Sequence, residues 1–185
     1  AHLKFAAANL ADDTFGQTSP PNDYVITITL NNDTSTSGYD QRPNLLVVKT
    51  IIHEVIHAEM FRKMLSLSNQ NGNINVATLN TMLQNNDYPG MLDYYTRFGV
   101  NGFQHQQMAQ HYRDKIARVL QEYDTGNPIF ESQTPNQFYL DLAWEGLNKT
   151  TIIAWNNAIQ KAERDRIDLV IKTYIDQNKN QKCVK

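Results

Sequence analysis

Residues 43–67 read PNLLVVKTIIHEVIHAEMFRKMLSL, and this stretch decides the fold. Pro43 and Asn44 form a helix-start signal, with Asn44 placed to cap. Leu45, Leu46, Val48, Ile51, Ile52, Val55 and Ile56 then recur at helical spacing and leave the helix apolar on most sides. Such a helix is expected to be buried. His53, Glu54 and His57 lie inside it, and burying them is costly unless a metal or hydrogen bonds satisfy them. Residues four apart on a helix share one face, with Cβ atoms about 5–6 Å apart. Two imidazoles can therefore meet one zinc ion at the ~2.0–2.1 Å that zinc requires. Glu54 is next to the first histidine and reaches the same place without being a ligand. There it can take a proton from water and pass it to a leaving amine. A helix with two core histidines and a surface glutamate is the competing interpretation. Burial, helix length and a strand just upstream all weigh against it.

That strand is YVITITL, residues 24–30, β-branched and alternating. Residues 3–8 read as a second short strand, and residues 12–23 as a loop marked by Gly16 and the Pro20-Pro21 pair. Downstream, residues 76–83 and 91–98 read as short helices, and residues 99–102 as a turn. A strong amphipathic helix is expected over residues 103–123, a short one over 137–147 and a long one over 151–176. The fold class is α+β and mainly helical, with a small N-terminal sheet packed on the 43–67 helix. Residues 1–185 are expected to form a single domain.

The chain has 185 residues, 41% hydrophobic and 19% charged, which suits a globular domain with a real core. Net charge is −2 and the basic residues are scattered, so neither nucleic acid nor an anionic membrane is an expected partner. No apolar run approaches the ~20 residues needed to span a bilayer. The single cysteine, Cys183, excludes a structural zinc site built from cysteines. Abundant asparagine and glutamine, low charge and a start at Ala1 favour a secreted or extracytoplasmic location over the cytoplasm.

A catalytic zinc takes three protein ligands and keeps one open position. Between Glu59 and Glu122 there is no glutamate, and Asp87 and Asp93 sit in no recognisable motif. His2 is at the chain start, which leaves His105 and His111. Met108, Ala109, Tyr112, Ile116, Val119, Leu120 and Tyr123 form the apolar stripe of the 103–123 helix, and His105 continues it one turn earlier. His111 falls with Asp114, Lys115, Arg118 and Glu122 on the polar side. Helix-face geometry therefore favours His105 as the third ligand, with His111 as the alternative.

The chain resembles the zincin-like metallopeptidases, and more narrowly SprT-like and other bacterial metallopeptidases of that kind. The strand YVITITL, the helix VKTIIHEVIHAEM and the segment FQHQQMAQHYRDKIA carry the resemblance, with DLAWEGL at residues 141–147 as a looser fourth block. The resemblance implies a Zn2+ cofactor held by His53, His57 and His105, with Glu54 as the catalytic base for water attack on a peptide carbonyl. It also implies that the strand before the helix is a sheet edge bordering the substrate cleft. The continuation Ala58-Glu59-Met60-Phe61 excludes the metzincin class, and the missing glutamate argues against the gluzincin class. The zinc-ribbon cysteines of some SprT relatives are absent, which removes support for a DNA-associated role. Glu59 and Asp141 are candidates for orienting the ligating rings, and Tyr112 and Tyr139 for steadying an oxyanion. Trp144 and Trp155 read as core anchors.

The expected function is a zinc-dependent metalloendopeptidase acting on a protein or peptide. The alternatives are a zinc amidase on a cell-wall or other non-peptide substrate, and a non-catalytic module that keeps the metal for stability. An intact Glu54 argues against the last, because a structural site needs no base.

Overall fold

The computed structural model describes residues 1–34, 37–68, 105 and 108–181. The short helices expected at 76–83 and 91–98, the turn at 99–102, Asp87, Asp93 and Cys183 lie outside the described residues.

Strands β1 (His2–Ala8), β2 (Gly16–Thr18) and β3 (Val25–Asn31) form one sheet in the order β1-β3-β2. β1 runs parallel to β3 with His2 opposite Val25, and β2 runs antiparallel with Gly16 opposite Leu30. The alternation seen in the sequence is realised in β3, where Ile26 and Ile28 are buried between half-buried threonines. Two expectations change here. The 12–23 segment is not all loop but contains β2, which at three residues is too short to show a period of two. β3 is also the central strand, so β2 rather than YVITITL forms the edge beside the long helix. Asn31 is fully buried and closes the β1–β2 connection. Its Oδ1 accepts from the Leu10 amide and its Nδ2 donates to the Thr14 carbonyl.

Helix α1 (Asn44–Ser68) follows a short 3-10 turn at Tyr39–Gln41. It packs against β2 and β3 on one side and helix α2 (Arg113–Thr125) on the other, which explains an apolar surface most of the way round. Asn44 does not cap it. Asn44 is the first helical residue and its Oδ1 has no hydrogen-bond partner among the described residues, while the Pro43 carbonyl accepts from the Leu46 and Val47 amides.

The amphipathic helix expected at 103–123 carries a π-helical turn at Met108–Tyr112 before α2. Such a turn changes the rotation per residue. Met108, Ala109, Ile116, Ala117 and Leu120 are buried, whereas Val119 and Tyr123, expected on the same stripe, are 40% and 56% exposed. α3 (Gln137–Leu142) gives way to turns through Gly146 and Leu147. The long helix expected at 151–176 is two, α4 (Ile153–Ala158) and α5 (Lys161–Asn178), broken where Ile159 and Gln160 are extended. Arg164 accounts for the break: its guanidinium donates to the Asn156 carbonyl and side chain, replacing helical bonds at the end of α4. Trp144 and Trp155 anchor the core as expected, with ring centroids 5.0 Å apart. Among the described residues no helix is long and apolar enough to cross a membrane.

Candidate metal centre

His53 and His57 stack one turn apart on α1, and His105 reaches them from the segment leading into the π turn. Their Nε2 atoms form a nearly equilateral triangle. The edges are 3.1 Å between His53 and His57, 3.2 Å between His53 and His105, and 3.3 Å between His57 and His105. Hydrogen bonds alone cannot explain this arrangement. A neutral imidazole has one N–H and one acceptor nitrogen, so three Nε2 atoms aimed at one point cannot all be paired with each other. These three residues could hold a metal ion.

The electrostatics favour the neutral rings that ligation needs. Burial pushes His53 well below the ordinary histidine value, and the positive charge of Lys49 adds to the effect. His105 is lowered to about 4, first by burial and then by Lys149 and Lys49. His111, the alternative ligand, is exposed and outside the group.

Glu54 is buried beside the triad and is held by β2. Thr18 Oγ1 lies 2.7 Å from Glu54 Oε2 and 2.9 Å from the Glu54 main-chain oxygen, so one hydroxyl hydrogen is shared between them. Burial raises the Glu54 pKa, opposed by the Thr18 hydrogen bond and the Lys49 charge. Gly16 permits this close approach. A Cβ there would sit 3.0 Å from both Glu54 Cγ and Thr50 Cγ2.

A second buried group forms around Lys49, one turn earlier on α1. Glu145 accepts from Arg42 at 2.8 Å, and its Oε2 is 3.2 Å from Lys49 Nζ, which also donates to the Glu145 carbonyl. Burial alone would raise Glu145, but Lys49 and Arg42 hold it below the usual carboxylate range. Gly146 makes the turn possible. Its φ is +77°, and a Cβ would come within 3.1 Å of Lys49 Nζ. The triad, Glu54, β2 and the 145–149 loop together line a cleft of about 690 Å³.

The expected supporting residues lie elsewhere. Glu59 is paired with Arg62 on the surface. Asp141 is buried in a bidentate pair with Arg166 that ties α3 to α5. The Tyr139 hydroxyl donates to Asp124 at 2.7 Å and is pushed up to about 12 by burial and by that bond. Neither Tyr139 nor Tyr112 lines the cleft. His53 Nδ1 is buried with no hydrogen-bond partner among the described residues. Thr18, Lys49, Glu145 and Lys149 were not anticipated from the sequence. Lys49, a lysine in an otherwise apolar stretch one turn before His53, was the one readable signal among them.

Compared with known proteins, the chain matches no family model, no curated protein and no solved structure.

Proposed function

We propose that this chain is a zinc-dependent hydrolase, and specifically a metalloendopeptidase, with His53, His57 and His105 as metal ligands and Glu54 as the catalytic base. The convergence of three Nε2 atoms at 3.1–3.3 Å carries the proposal. Nitrogens bound tetrahedrally at ~2.0–2.1 Å from zinc stand about 3.3–3.4 Å apart, close to the observed triangle. Neutral nitrogen donors in a cleft with room for a further ligand suit a catalytic ion. Zinc held by His53, His57 and His105 would supply Lewis acidity toward a carbonyl and lower the pKa of water toward neutrality.

The protein's own groups supply the proton chemistry. Glu54 follows the first ligand directly, and Thr18 fixes its carboxylate through Oε2. Its partly desolvated environment raises its proton affinity, as a base that must take a proton and then return it to the leaving nitrogen requires. The β2 edge beside Glu54 supports an extended peptide as substrate, because the outer side of an edge strand offers main-chain groups for pairing.

Metal content and turnover test this together. Zinc measured after dialysis should be about one ion per chain in the wild type and in Glu54→Gln, and should fall sharply in His105→Ala but not in His111→Ala. Casein or short-peptide hydrolysis should be present in the wild type and lost in Glu54→Gln. Turnover confined to peptidoglycan would move the assignment to an amidase. A folded protein that takes up no zinc, or a His111→Ala variant that alone releases it, would overturn the ligand set.

A further inference from the structure

Lys149 stands apart from the other cations around the cleft. Arg42 and Lys49 are buried and committed to Glu145. Lys149 is exposed on the cleft wall and forms no ion pair among the described residues, Asp13 of the same cleft included. It nevertheless lines the same cleft as the three histidines.

The backbone that carries Lys149 is fixed on both sides. Glu145 is pinned by Arg42 and Lys49, and Gly146 turns against the Lys49 ammonium. The Asn148 side chain donates to Asp168 of α5 at 2.7 Å, and the Lys149 carbonyl accepts from the Ile152 amide at 2.9 Å. A solvated surface lysine needs no such mounting. The charge balance points the same way. Lys49 and Lys149 stand against Asp13, Glu54 and Glu145 in the lining, so a divalent ion turns it from net anionic to net cationic in a chain of net charge −2. A concave cationic site concentrates anions.

We infer that Lys149 makes the cleft selective for ligands that present a carboxylate beside the group held at the histidine triad, an inference that rests on the metal-site reading above. That carboxylate is either an acidic side chain next to the cleaved bond or the free terminus of a short peptide. The ammonium would meet it on the wall while the neighbouring carbonyl faces the three histidines. Lys149 acts in selection, and the proton transfers of Glu54 do not need it.

Calorimetric titration of the zinc-loaded protein with three short peptide hydroxamates of equal length tests this. One has a neutral amide end, one a free terminal carboxylate, and one an amide end with an aspartyl side chain. At least one carboxylate compound should bind about three- to fivefold more tightly than the neutral one, as suits a partly solvated ion pair. The compound that shows the gain identifies the source of the carboxylate. Lys149→Met should erase the difference and Lys149→Arg should keep it, with binding of the neutral compound unchanged in both. Equal affinities in the wild type, or a preference that survives Lys149→Met, would overturn the role of Lys149 while leaving the metal site standing. Failure of all three compounds to bind would overturn the open position on the ion, and this inference with it, while zinc content alone tests the ligand set.

Discussion

Two buried glutamates lie in one cleft, Glu54 on α1 and Glu145 in the turns after α3, and their surroundings push them in opposite directions. Glu145 is flanked by the Arg42 guanidinium and the Lys49 ammonium and is held below the usual carboxylate range despite its burial. Glu54 has a neutral hydroxyl from Thr18 as its direct partner, and burial raises it. A carboxylate between two cations is committed to holding the structure together, because its protonation would strand both of them. A carboxylate held by one hydroxyl stays ionisable and can exchange a proton. Under the proposed function the same residue type serves architecture in one place and chemistry in the other, and the difference lies in what tertiary contacts bring alongside.

The contrast breaks most visibly at Glu54. Replacement by Gln keeps the shape and a partner for Thr18, so folding and metal content should be unchanged while hydrolysis falls by about 10²- to 10⁴-fold. An active Glu54→Gln variant would remove the base from the mechanism. At Glu145 the expectation is reversed. Glu145→Ala leaves Arg42 and Lys49 buried without their counter-charge and should cost ~3–5 kcal/mol of stability, seen as a lower urea midpoint. A variant with wild-type stability would show that water reaches these cations. Thr18→Val sharpens the comparison further. Loss of the Thr18 hydrogen bond on the Glu54 carboxylate should cost ~1–2 kcal/mol, read as roughly a tenfold fall in turnover with zinc still bound.

Acid unfolding of the metal-free protein separates the two residues by sign. The folded pKa of Glu145 is below its ordinary 4.5, so its stabilisation is present above that value and fades as pH falls through the folded one. The folded pKa of Glu54 is above 4.5, so its contribution is present in acid and lost as pH rises through the folded value. Glu145→Gln should therefore lose stability mainly above pH 4.5 and converge on the wild type in acid. Glu54→Gln should gain slightly at neutral pH. Parallel stability curves for the two variants would contradict the difference in environment.

The candidate metal centre could be read early because its first two histidines are local to one helix. His53 and His57 meet through the pitch of a single helix, and His105 was chosen as the histidine on the apolar side. The structure brings His105, and not His111, beside that pair, although Val119 and Tyr123 of the expected stripe are exposed beyond the π turn at Met108–Tyr112. The supporting groups could not be read this way. Asp141 and Glu145 lie four residues apart in one short block, and nothing in their spacing tells which meets Arg166 and which meets Arg42 and Lys49. Thr18 belongs to a strand too short to show alternation, and its contact with Glu54 spans 36 positions.

By itself the sequence determined the elements that carry their own period: the long apolar helix, the alternating strand, the paired histidines with the glutamate between them, and the mainly helical α+β class. Tertiary structure alone decided which strand became the edge, where the last long helix breaks, and which carboxylates would be neutralised. Periodicity is written in neighbouring residues, but the partner of a buried charge is chosen by packing between segments far apart in the chain. A charge's chemical character follows from that partner.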